Sequence, residues 1–251
     1  MSAEVFHAGL GWPIALTLIS MSFLGSFITV AFGIGGGQVM LAVFATLLPA
    51  AAIIPVHGLV QLGSNVGRAT LTRRHIEPGV PWVFGIGAAA GVILGTMFFV
   101  QLDPAIIQIG VGLFIIWSIL LRPPAFMRHS AGIAGAISSF LTMFFGATGP
   151  FVAAFVKSLQ LDRMGHTATH ATLMTIQHAL KTIAFGFIGF AFSLWAGLVT
   201  LLIASGFLGT VVGRRVLMKF DEKRFQFTLN LILGVLAVRL VYAGAMDLVN
   251  V

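Results

Sequence analysis

Two sets of polar side chains at helical spacing interrupt an otherwise apolar chain. His57, Gln61, Ser64 or Asn65, and Arg68 fall at i, i+4, i+7/8 and i+11, which is one face of an α-helix. His170, Met174, Gln177 or His178, and Lys181 repeat the pattern. Cations, amides and imidazoles on one face are the groups that hold an oxyanion, through charge and N–H donors. Upstream of the first set lies "FGIGGGQ", with Gly33, Gly35, Gly36, Gly37 and Gln38; upstream of the second lies "FGATGP", with Gly146, Thr148, Gly149 and Pro150. Such runs break a helix and bare its amides. A helix that restarts there presents unpaired N–H groups and about half a positive charge to an anion, and Pro150 suits a first helical turn. The pattern predicts an anion held by amides near Gly35–Gly37 and Thr148–Pro150. Arg68 and Lys181 supply charge, and His57, Gln61, Asn65, His170 and Gln177 supply hydrogen bonds.

Each feature also has a plainer reading. Small residues let membrane helices pack closely, and the chain has 30 glycines. Arg68 and Lys181 stand near helix ends, from which a long side chain can snorkel, and a buried histidine can simply bond a neighbouring carbonyl. Recurrence of the whole arrangement favours a site. A dinucleotide fingerprint is excluded, because Gln38 takes the place of the last glycine and no strand precedes it. His166 and His170 have a metal-ligand spacing, but the other histidines are scattered and H-E-x-x-H is absent, so no metal and no cofactor is expected. Without G-x-S-x-G or a histidine cluster, an enzyme is not expected either. Phe140, Phe144, Phe145, Phe151 and Phe155 surround the second glycine motif; they read as packing and lipid contact, or as a wall for a substrate with an organic tail. Arg239 reads as an interfacial anchor.

The elements that must position these groups are membrane helices. Of 251 residues, 58% are hydrophobic and 8% charged, with mean hydropathy +1.04, more apolar than a soluble core requires. Apolar runs at 12–32, 80–102, 131–156 and 182–213 approach or exceed the roughly 20 residues that cross a bilayer, so the fold class is an all-α polytopic membrane protein. The net charge of +7 sits in short connectors, the pattern of topology signals rather than of a nucleic-acid surface. With no cysteine there is no disulfide framework. The first eleven residues lack Lys and Arg, so the first apolar run is expected to stay rather than be cleaved.

Shifting the chain by 113 positions lays "FGIGGG" on "FGATGP", His57 on His170 and Arg68 on Lys181. Later elements follow with small insertions: "LGT" at 94–96 meets "LGT" at 208–210, and Asp103 and Asp221 read as helix N-caps. Two repeats follow, 12–121 and 131–246, within a single membrane domain. Basic connectors occupy different places in the two ("RRHIEPG", 73–79; "RRVLMKFDEKR", 214–224), which predicts inverted repeats with those connectors in the cytoplasm and both termini outside. Each repeat is expected to hold a V-shaped pair, 37–49 with 56–72 joined by "PAAAIIP", and 150–160 with 165–185.

With "FGIGGG", a short apolar helix, a polar helix closing in "GRATLTRRHIEPG" and a weaker second copy, the chain resembles the TauE/SafE sulfite exporter family, also called the 4-toluene sulfonate uptake permease family. "GATGP" departs from the glycine-rich form. The resemblance implies transport of sulfite, an organosulfonate or a related small anion across the bacterial inner membrane; the alternatives are a passive anion channel and a permease for carboxylates or other small anions. With the interior negative, anion export gains about 2.3 kcal/mol per charge per 100 mV and import is opposed equally. Import would need a coupling ion. All seven carboxylates map to loops or helix ends, so a proton relay would fall to His170 or His178.

Overall fold

A computed structural model describes residues 3–32, 35–99, 103–121, 124–216 and 222–249. Among them are ten α-helices, several short 3-10 turns and no strand: α1 (Trp12–Phe32), α2 (Gly36–Leu47), α3 (Ala50–Thr72), α4 (Val80–Phe99), α5 (Pro104–Leu120), α6 (Ala131–Phe145), α7 (Gly149–Ser158), α8 (Arg163–Phe187), α9 (Ala196–Val216) and α10 (Glu222–Val249). Segments Trp12–Val30, Val80–Phe99, Phe192–Gly213 and Asn230–Val249 are long and apolar enough to cross a membrane. The protein is a multi-pass helical membrane protein.

Chain breaks fall where the glycines are. Gly35 precedes α2 at φ 107° and Gly146 closes α6 at φ 77°, conformations open to glycine and strained for other residues. Asp103 caps α5 as expected, its Oδ1 accepting from the Ala105 amide at 2.7 Å with Pro104 in the first turn, and Asp162 caps α8 through the Gly165 amide. Asp221 lies outside the described residues. The apolar run at 131–156 is two helices, α6 and α7, and 182–213 is divided by a turn after Phe187. Three helix boundaries coincide under the shift of 113: α1 and α6 end at Phe32 and Phe145, α2 and α7 start at Gly36 and Gly149, and α3 and α8 start at Ala50 and Arg163.

One expected connector is helix instead. "PAAAIIP" does not join the first V; α3 begins at Ala50 and carries Pro55 inside it, leaving only Leu48 and Pro49 between the limbs. Pro55 removes the amide that would bond the Ala51 carbonyl. Ala51 is exposed in the first turns of the helix, and the helix continues through Pro55 without that bond. In the second pair, α8 runs two residues further at each end than 165–185.

The helices group into two compact units. One holds α1, α2, the start of α3 to His57, α5, α9 and α10; the other holds α3 from Gly58, α4, α6, α7 and α8. In the first unit α1 packs along α9, where Ser22 Oγ donates to the Leu202 carbonyl at 2.7 Å and Ser205 Oγ to Ile19 at 2.8 Å. A Cβ on Gly209 would stand 2.1 Å from the Phe23 carbonyl oxygen. In the second unit α4 packs along α6 in the same manner: a Cβ on Gly87 or Gly91 would come within 2.0 Å of the Gly132 or Ala136 oxygen. Backbones this close gain dispersion contacts, which is how helices associate where lipid is as apolar as leucine. Phe84, Ala88, Val152, Phe155, Leu173 and Met174 fill the core of this unit. The connector after α3 is pinned to α8, since the Glu77 amide donates to Thr169 Oγ1 at 3.0 Å.

The distribution of polarity inverts that of a soluble protein. Trp82 is 81% exposed and Ile86 and Phe187 are comparably so, whereas Lys181, Gln177, His57 and Asn65 are buried. A bilayer accounts for both, solvating the apolar exterior and driving charge inward.

Substituting Gly91 by Leu is expected to cost on the order of 1–3 kcal/mol or more through overpacking. Gly234, with open space around its Cβ position, should accept Ala without loss. Thermal melts of both variants in detergent test this; an unchanged midpoint for Gly91→Leu would mean that α4 and α6 have room to separate.

Candidate functional site

In the first unit the opening at Gly35 serves two purposes. Gly36 is a packing residue: a Cβ there would lie 1.7 Å from the Gly25 oxygen and 2.3 Å from Thr29 Oγ1 of α1. Part of the glycine run therefore answers to helix packing. Gly35, the N-cap of α2, has no side chain with which to cap the helix. His57 Nε2 stands 3.0 Å from the Gly37 carbonyl; a carbonyl only accepts, so this nitrogen carries the proton and donates. Phe44 meets the same imidazole edge to face at 6.2 Å. Gln38 Nε2 donates to Ser118 Oγ of α5 at 2.7 Å. Gly33 lies outside the described residues.

The second unit repeats the motif and adds to it. His170 Nε2 stands 3.3 Å from the Gly149 carbonyl in the first turn of α7, the counterpart of His57 on Gly37. Thr148 precedes α7 but its hydroxyl does not cap the helix; it accepts instead from Gln177 Nε2 at 2.7 Å, while Ser138 Oγ donates to Gln177 Oε1 at 3.0 Å. Gln177 thus ties α6, the opening of α7 and α8 together. Pro150 sits in the first turn of α7.

Lys181 is fully buried, and its Nζ donates to Thr142 Oγ1 at 3.3 Å and to the Gly146 carbonyl at 3.4 Å. Gly146 is where α6 ends, so the ammonium faces carbonyls left over at a helix C-terminus, the end that attracts cations. Thr142 Oγ1 itself donates to the Gly146 carbonyl at 2.8 Å. The lysine stem lies against Gly58 of α3, where a Cβ would come within 2.6 Å of Cε.

Arg68 is 8% exposed. Its Nη2 donates to Asn65 Oδ1, Asn65 Nδ2 donates in turn to the Gln61 carbonyl at 2.7 Å, and Arg68 Nε has no acceptor. Gln61 is half-buried. Arg68 lies within electrostatic reach of His170, whose ring stacks on His166 at 6.2 Å with 3° between planes. No carboxylate pairs with Arg68 or Lys181 among the described residues. His178 is buried one turn before Lys181.

Several of these residues were not anticipated. Ser138 and Thr142 are polar at i, i+4 on the otherwise apolar α6, a signal of the same kind as the stripes on α3 and α8, and Gly58 is visible only once α3 and α8 are placed together. Among the described residues no group of three metal-ligating side chains gathers.

The model of the sulfite exporter TauE/SafE family matches residues 18–240. The chain belongs to the TauE/SafE sulfite exporter family. TauE/SafE proteins are transporters, so this chain carries out membrane transport of the sulfur-anion exporter type, and the buried, unpaired cations lie inside the span of the family match. Comparison with curated proteins and with solved structures finds no match.

Replacing Thr148 by Val removes the acceptor of a buried Gln177 amide. The stranded N–H should cost about 1–3 kcal/mol, read as a lower unfolding midpoint of the purified protein; no change would show that Gln177 finds another partner.

Proposed function

We propose that this protein is a secondary transporter that carries a small sulfur oxyanion, sulfite or an organosulfonate, across the bacterial inner membrane. In the second unit the anion meets the opening of α7 at Thr148–Pro150, with positive charge from Arg68 and Lys181 and donors from Gln61, Asn65, His170 and Gln177; in the first unit the opening of α2 at Gly35–Gly37, with His57, offers groups of the same kind. The observation that carries this reading is a pair of cations buried without a carboxylate. Burying an ion without a counter-charge is expensive, and an anionic substrate is the kind of partner that each of them lacks. Neither helix opening has a side-chain cap, which leaves first-turn amides available to the same ligand.

The transport cycle we propose rocks one inverted repeat, 12–121, against the other, 131–246, with both termini outside. The coincidence of three helix boundaries under one shift supports the repeats. The swapped positions of the basic connectors support their inversion.

Purified protein is expected to gain thermal stability with sulfite or sulfonates over carboxylates of equal charge, since a ligand stabilises only the state that binds it. No shift with any anion would reject the reading. Arg68→Ala and Lys181→Ala should each weaken binding by more than about tenfold, the scale of losing one charged hydrogen bond; equilibrium binding to the folded variants measures this, and unchanged affinity in both would remove their role.

A further inference from the structure

We propose that Arg68 and Lys181 hold anions at two separate stations along the second unit and do not share one; this rests on the anion-transport reading above. Two contacts fix how α3 and α8 run: Gly58 on α3 lies against the stem of Lys181, and Glu77 beyond the end of α3 bonds Thr169 near the start of α8. Positions that rise along α3 fall along α8, so the two run antiparallel. Ten residues separate Gly58 from Arg68 and eleven separate His170 from Lys181, about 15–16 Å of helix in each case. The two charged ends accordingly have different neighbours: the guanidinium has Asn65, and the ammonium has Thr142 and the Gly146 carbonyl. An oxyanion must come within about 2.7–2.9 Å of each charged donor that holds it. One sulfite or sulfonate group does not reach both.

The two stations differ in chemistry. At the first, the Asn65 amide is itself anchored on the Gln61 carbonyl and fixes the plane of the guanidinium, while Nε, buried and without an acceptor, is left to bind. A fixed planar fork suits an anion that offers two oxygens side by side. At the second, Lys181 spends two of its three N–H donors on neutral oxygens at 3.3 and 3.4 Å, and offers a point charge with little demand on geometry. The stations would act in sequence on one translocation route: a selective fork near the end of α3, then a permissive charge at the break between α6 and α7.

Counting bound anions decides the matter. Equilibrium dialysis of the full-length protein in detergent against [35S]sulfite should reach two anions per wild-type chain and one in each of Arg68→Gln and Lys181→Gln. Arg68→Lys, which keeps charge but loses the fork, should weaken one of the two sites by about tenfold or more. A wild-type count of one overturns the two stations; if either single variant abolishes that one anion, transport through a shared site still stands. A count of zero retires the transport reading as well. A readout that needs no variant is anomalous scattering from selenite bound to the wild-type protein: separate peaks at Arg68 and Lys181 are expected, and a single peak overturns the inference.

Discussion

A broken helix inside an apolar environment leaves carbonyls and amides that hydrocarbon cannot solvate, and this protein has two such breaks. Several of the polar side chains in its interior answer them. At the end of α6 the Gly146 carbonyl takes Lys181 and Thr142; at the start of α7 the Gly149 carbonyl takes His170 and the Thr148 hydroxyl takes Gln177; at the start of α2 the Gly37 carbonyl takes His57. Each answer comes from a side chain more than one helical turn away in sequence or from a different helix. The breaks therefore organise the tertiary structure instead of weakening it. On the amide side, neither N-cap residue supplies a side-chain bond to its helix.

Charge follows the same logic. A lysine and an arginine inside a membrane protein are tolerable when dipoles or counter-ions surround them. Lys181 obtains a helix C-terminus and a threonine; Arg68 obtains one neutral amide. Both are under-compensated, and to different degrees.

Much of this was legible in the sequence because membrane helices are governed by a few strong rules. Long apolar runs located α1 and α4, glycine and proline located the starts of α2 and α7, and Asp103 announced α5 by its capping chemistry. The polar stripes on α3 and α8 pointed to buried His57, Asn65, Arg68, Gln177 and Lys181, since a stripe that lipid rejects has only the interior left. Other features resisted reading for equally physical reasons. Pro55 looked like a boundary, yet the penalty for a proline in a helix depends on where the freed carbonyl points, which sequence does not record. The role of Gly36 was divided between opening a helix and admitting α1, and only the position of Gly25 separates the two. Helix pairings such as α1 with α9 and α4 with α6 join distant segments, and small residues announce that packing will be close without saying with whom. Repeat organisation and compact grouping also differ: helices from both halves of the chain contribute to each unit.

The bond from the Glu77 amide to Thr169 Oγ1 has a mechanical implication. Arg73, Arg74 and His75 are exposed on the connector that this bond fastens to α8, and α8 is the helix that carries His170, Gln177 and Lys181. A cluster of cationic side chains and the polar stripe of α8 are thus joined by a direct hydrogen bond as well as by the chain.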